Sequence, residues 1–195
     1  MVLKVKGFHT CKARGTKEEL RDKVPFLSRR ENQWLGQGYY FWTGSDYWAH
    51  KWGQEGNRVI SKFDISMPKN QVLDLIDSVE DQLHFRKIVD CFSKGALKEA
   101  YEQRFNSEIC VSSVLTWLRE ERALGHDVFP YGAVRAKDSH AEKRLRFLPG
   151  GRREELNLVE RHQMCVYNEF KDAAVTFDCF VHPAHFMDGY DGALA

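Results

Sequence analysis

Apolar and polar positions alternate from Val2 to His9, which predicts a strand ending at Phe8-His9-Thr10. Residues 16–23 suit a short helix, with Thr16 as its cap and Glu18 and Glu19 at its positive end. A polar, irregular connection over 24–35 leads into Gly36-Gln37-Gly38, where the glycine pair predicts a tight turn into a short strand, Tyr39-Tyr40-Phe41. Residues 45–53 read as a helix with Ser45 as N-cap and Gly53 as its stop. Arg58 to Ile65 alternates again, with Val59, Phe63 and Ile65 on one face, and Val72-Leu73-Asp74-Leu75 is a second apolar run.

From about 78 to 122 the apolar period becomes helical. Val79, Leu83, Ile88, Val89 and Phe92 form one stripe; Leu97, Ala100, Tyr101 and Phe105 a second; Val111, Val114, Leu115 and Leu118 a third. Lys94-Gly95 and Asn106-Ser107 are the breaks between them. Strands resume at Tyr131-Gly132-Ala133-Val134, Leu156 to Val159, Gln163 to Tyr167, and Ala174 to His182, the last with Val175, Phe177, Cys179 and Val181 on one face. Strands at both ends around central helices predict an α+β fold. The 195 residues suit one domain, 1–195, with 78–125 as a helical insertion.

Composition adds mainly exclusions. Hydrophobic residues at 43% and charged residues at 29% are a globular balance, and a net charge of +1 leaves any electrostatic preference to local patches. No run approaches the ~18 apolar residues of a membrane span, and the N-terminus lacks the apolar core of a signal peptide. Five scattered cysteines without a C-x-x-C pair read as reduced thiols of a cytoplasmic protein with no metal site; Cys91, Cys110 and Cys179 fall on apolar faces and are expected in the core. His182 and His185 flank Pro183 without carboxylate company, so no metal ligand set is expected there. No G-x-S-x-G or G-x-x-x-x-G-K is present.

The chemistry-bearing residues lie in two early segments and one late one. An imidazole at a strand end, His9, can hold a hydroxyl. The tyrosines after the glycine turn, and the aromatics Tyr47, Trp48 and Trp52, are material for clamping a flat heteroaromatic ring. Late in the chain, 132–153 carries Arg135, Lys137, Lys143, Arg144, Arg146, Arg152 and Arg153 against Asp138 and Glu142, a basic stretch suited to an anionic target.

Phe8-His9-Thr10, Gly36-Gln37-Gly38-Tyr39-Tyr40-Phe41 and Ala49-His50-Lys51-Trp52 together resemble the first motifs of the ADP-ribosyltransferase superfamily, in the branch shared by diphtheria toxin and the poly(ADP-ribose) polymerases. Thr10 stands where that family has glycine. The resemblance continues through Val59 to Ile65, Val72 to Leu75 and Tyr131 to Val134, leaving 78–125 as the insertion. It implies a split mixed or antiparallel sheet and NAD as substrate, with no metal. By position His9 and Thr10, Gly38, Tyr40 and Phe41 would line the NAD site. Nicotinamide would stack between Tyr40 and an aromatic of the next helix, Trp52 by spacing, with Tyr47 or Trp48 as substitutes. The family's third position is a glutamate opening a late strand. Here Gln163 opens Gln163-Met164-Cys165-Val166-Tyr167, with Glu160 and then Glu169 as alternatives.

The implied activity is mono-ADP-ribosyl transfer, in a small bacterial or phage toxin or defence effector. The acceptor would be a macromolecule, RNA or DNA met by the 135–153 stretch or a protein, and a neutralising antitoxin protein is an expected partner. NAD glycohydrolase activity and a non-catalytic module binding ADP-ribose or nucleic acid are the alternatives.

Overall fold

The computed structural model describes residues 1–30, 32–53, 56–149 and 154–188. In chain order the regular elements are β1 (Val2–Lys12), α1 (Lys17–Lys23), β2 (Tyr39–Thr43), α2 (Tyr47–Lys51), β3 (Arg58–Pro68) and β4 (Val72–Asp74). Three helices follow, α3 (Val79–Phe92), α4 (Gly95–Phe105) and α5 (Val111–Ala123), and then β5 (Ala133–Arg146), β6 (Glu155–Val166), α6 (Lys171–Ala174) and β7 (Val175–His182). The strands form one sheet in the order β4-β5-β6-β2-β1-β3-β7. It is mixed: β4 runs parallel to β5, and every other neighbouring pair is antiparallel. This mixed α and β architecture is compatible with the expected α+β class.

Local signals account for the helices. Thr16 and Glu19 close a reciprocal capping box on α1, satisfying two N–H groups that the first turn leaves orphaned. Ser78 caps α3 through the Asp81 N–H. Asn106 ends α4 in the left-handed region at φ 46°, a conformation asparagine tolerates better than branched residues. For α2 the cap shifts by one residue: Asp46 occupies it without a side-chain bond, and Ser45 Oγ accepts from the Tyr47 N–H.

Strand alternation sorts the side chains into cores on both sheet faces. On one face Phe41, Phe63, Ile65, Met67, Val72, Met164 and Val166 pack with Leu20 of α1 and Phe180 and Phe186 from the C-terminal part. On the other, Leu73, Val134 and Cys165 meet Phe85, Phe92, Tyr101, Leu115 and Leu118 of the three central helices. Further along that second face a smaller cluster of Phe8, Trp42 and Ile60 takes Trp48 and Ala49 of α2. No helix among the described residues is long and apolar enough to cross a membrane.

Three expectations need correction. Leu156 to Val159 and Gln163 to Tyr167 are not separate strands, and most of the basic stretch is itself strand. β5 and β6 pair from Ala133↔Val166 out to Arg146↔Glu155 as one long hairpin, interrupted by a bulge between Lys137 and Ala141. In β7 the alternation breaks, because Phe63 opposes Phe177 while the next residue, Lys62, opposes Cys179. That bulge puts Phe177 and Phe180 against the same core and takes Cys179 out of register with Phe177. Cys91 and Cys110 are exposed and Cys179 is half-buried, so the buried thiol is Cys165.

Candidate functional site

β1 and β2 pair over only two positions, Gly7↔Thr43 and Phe8↔Trp42. Both strands continue past them, β1 to Lys12 alongside β3 and β2 back to Tyr39 alongside β6. The sheet is therefore split where His9 sits. His9 is buried in the split, and its Nδ1 lies 3.0 Å from the Tyr40 carbonyl. The Phe26 N–H donates to Nε2 over 3.2 Å. A backbone N–H can only donate, so Nε2 is the acceptor and Nδ1–H is the donor to Tyr40. Burial holds His9 below its ordinary pKa, in keeping with a neutral ring.

The split opens into a cleft of about 630 Å³, lined by residues that include His9, Thr10, Tyr40, Trp52 and Gln163. Those five were singled out from separate segments of the sequence, and the fold brings them together. Strand parity explains much of this. Tyr40 and Trp42 share one face of β2, and Gln163 opposes Trp42 on the neighbouring β6. Thr10 Oγ donates to the Ala49 carbonyl and so ties β1 to α2, while Trp52 follows α2 and stays 55% exposed at the rim. Trp52 stands edge-on to Trp42, with centroids 5.5 Å apart.

The connection between α1 and β2 roofs the cleft, and it bonds to each of the three motif side chains. Phe26 N–H holds His9. Leu35 N–H donates to the Tyr40 hydroxyl, which in turn donates to the Gly36 carbonyl over 2.8 Å. The Trp34 indole N–H donates to Gln163 Oε1 over 2.9 Å. Ser28 and Gly38 exchange backbone hydrogen bonds that anchor this segment to the start of β2. Burial pushes the Tyr40 phenol above its ordinary value, so it serves as a neutral, fixed ring.

The other expected residues lie elsewhere. Phe41 is fully buried in the opposite core, because it alternates with Tyr40. Gly38 does not line the cleft: a Cβ there would fall 2.5 Å from Cys165 Sγ and 2.8 Å from the Val166 carbonyl oxygen, so its bareness serves the approach of β2 to β6. Trp48 is buried beside Trp42 and donates to the Glu160 carbonyl, with the Arg161 guanidinium over its ring. Tyr47 lies edge-on to Trp48 and under the Lys51 ammonium, outside the cleft lining.

Glu160 also points away. The Lys137 ammonium bonded to its Oε2 over 2.9 Å holds its carboxyl below the usual range, and His162 and Asn157 stand near the same group. Glu169 is exposed in the short turn Asn168–Phe170. Among the described residues no carboxylate lines the cleft.

Sequence reasoning missed Phe26, Trp34 and Trp42 in the lining, and the cations Lys12, Arg30 and Arg58 at its edge. The parity of β2 carried the signal for Trp42. The basic stretch is also redistributed: Arg135 is buried in ion pairs with Asp74 and Asp77, and Lys137 is paired with Glu160. Arg152 and Arg153 lie outside the described residues. No group of His, Cys, Asp and Glu able to hold a metal ion occurs among the described residues. Comparison with known proteins gives no match to a family model, to a curated protein or to a solved structure.

Proposed function

We propose that this chain is an NAD-dependent mono-ADP-ribosyltransferase built on an ADP-ribosyltransferase-like split sheet. One observation carries the reading: His9, Tyr40 and Gln163, taken from three motif-like segments, sit on the three adjacent strands β1, β2 and β6 and line one cleft. A cleft of about 630 Å³ is within the range of small-molecule and cofactor sites.

In this reading nicotinamide lies between the fixed ring of Tyr40 and the exposed indole of Trp52. His9 Nε2 exchanges the Phe26 N–H for a hydroxyl of the adenosine-side ribose, which donates to it. The Gln163 amide N–H donates to the nicotinamide-side ribose. The bond between ribose C1′ and the pyridinium nitrogen then breaks, and its electron pair leaves with nicotinamide, which becomes neutral. A nucleophile of the macromolecular acceptor supplies a lone pair to C1′ and loses its proton. Gln163 positions the sugar without opposing the positive charge that develops on it, a role a carboxylate would fill electrostatically.

Incubation with NAD labelled in its adenosine half, together with a cell lysate, tests the transfer. Label should enter macromolecules as nicotinamide is released, and protease or nuclease treatment identifies the acceptor class. Free ADP-ribose without labelled macromolecule would make water the acceptor. Toxic transfer to the cell's own molecules would call for a neutralising protein partner. One observation favours a second reading, a module that binds NAD or ADP-ribose without cleaving it: the residue at this place is a neutral amide whose oxygen already accepts from Trp34, and no carboxylate is among the described lining. Tight NAD binding with no nicotinamide release selects that reading.

A further inference from the structure

We propose that the edge of this cleft is a diphosphate-binding site formed by Lys12, Arg58 and Arg30. Lys12 and Arg58 are direct register partners across β1 and β3, so their side chains leave the same face of the sheet side by side. Like charges placed directly opposite across two strands are destabilising unless something offsets them. Among the described residues nothing anionic does so here. Arg58 Nη1 donates to the carbonyls of His50 and Trp52, which hold the guanidinium in place without neutralising it. Lys12 has no side-chain partner among the described residues, and neither has Arg30, which reaches the same cleft from the roofing segment.

The remaining polar lining fits the same ligand chemistry. The Trp34 N–H occupies one lone pair of the Gln163 oxygen, and the Nε2 hydrogens, which can only donate, have no partner among the described residues. Asn32, Gln33 and Asn57 add further amides, and no described carboxylate competes. Cations with N–H donors and aromatic rings in one cleft suit an anion ester joined to a flat ring. A guanidinium and an ammonium together can bind two phosphate groups, the guanidinium through its fork of donors and the ammonium as a point charge. The site thus takes a nucleoside diphosphate or a dinucleotide through its pyrophosphate, with the rings lying toward Trp42, Trp52 and Tyr40.

The assignment of that ligand as NAD rests on the function proposed above; the anion site does not. Three of the chain's tryptophans, Trp34, Trp42 and Trp52, line the cleft, so their fluorescence reports binding directly. Adenosine diphosphate, adenosine and inorganic pyrophosphate are titrated into the wild-type protein and the Lys12→Gln/Arg30→Gln double variant at low salt. Both positions are exposed, and thermal unfolding checks that the variant is folded. Adenosine diphosphate should bind wild type about tenfold or more tightly than adenosine. In the double variant that advantage should shrink to about twofold, and in wild type added salt should erode it.

Equal binding of adenosine diphosphate and adenosine by wild type, no binding of either, or an unchanged diphosphate preference in the variant overturns the site. NAD provides the separation from the proposed reaction. Absent nicotinamide release with the charge-dependent diphosphate preference intact removes the transferase and leaves the anion site. Nicotinamide release that the double variant retains, with no diphosphate preference, does the reverse.

Discussion

The indole N–H of Trp34 donates to Oε1 of Gln163 across 129 positions of sequence, and this bond determines which end of the amide is free to meet a ligand. It also pins the roof of the cleft to β6. Gln163→Glu preserves an acceptor for Trp34 and adds a negative charge that the described lining lacks. Nicotinamide release from NAD should rise about tenfold or more in this variant, the direction expected when a charge opposes a developing cation. Gln163→Ala leaves the Trp34 N–H without its partner and should lower stability by about 1–3 kcal/mol, measured by urea unfolding.

His9 makes stability depend on pH. Its folded-state pKa lies below the ordinary value of 6.5, because burial opposes the charged ring. Below 6.5 the unfolded chain binds a proton that the folded chain refuses. The stability due to neutral His9 is therefore whole above about 6.5 and is lost as the pH falls from there toward the folded-state value. Urea midpoints should drop between pH 7 and pH 5 in wild type. The drop should be smaller in His9→Gln, which keeps a donor and an acceptor but does not titrate.

Gly38→Ala should destabilise the start of β2. The added methyl would meet the Val166 carbonyl oxygen at 2.8 Å, a backbone atom held in the sheet, and Cys165 Sγ at 2.5 Å. Overpacking of this kind costs about 1–3 kcal/mol. The measurement is the free energy of urea unfolding against wild type, with Gly44→Ala as a control, since a Cβ at Gly44 meets nothing within 4 Å and only its backbone φ of 85° is strained.

Arg135 links β5 to the turn after β4, with Nη1 on both Asp74 and Asp77. Asp74 has only 14% side-chain exposure, so Arg135→Met removes the cation from beside a carboxylate with little access to water. Breaking a buried pair from one side costs about 3–5 kcal/mol; exposed Asp77 and the N–H groups bonded to Asp74 place the expected loss at the lower end. Circular dichroism during thermal unfolding reads it.

The helices and the early strands were legible because their signals are local. Thr16, Ser78 and Asn106 act within one turn of chain, and the three apolar stripes over 78–122 repeat at helical spacing. The β5–β6 hairpin was not. Its outer half pairs only with itself, and exposed apolar residues such as Leu145, Leu156 and Leu158 interleave with charges without a buried face to set the alternation. At the candidate site the expected segments converge on one cleft, and only some of their expected side chains line it. Parity along β2 puts Tyr40 with Trp42 and sends Phe41 to the other core, a consequence of the strand that a motif read residue by residue passes over. Trp34 carried no signal, since its role depends on a partner far away in sequence.

Nicotinamide release from NAD by purified wild-type protein and by Trp52→Ala bears most directly on the proposed ring clamp. Trp52 is 55% exposed and donates no side-chain hydrogen bond among the described residues, so its loss should leave the fold intact, as circular dichroism would verify. Measurable release by wild type is expected, with a loss of about tenfold in the variant, the scale of one aromatic wall removed from a ring-binding site. Release that is unchanged in Trp52→Ala, or NAD left uncleaved by wild type, would contradict it.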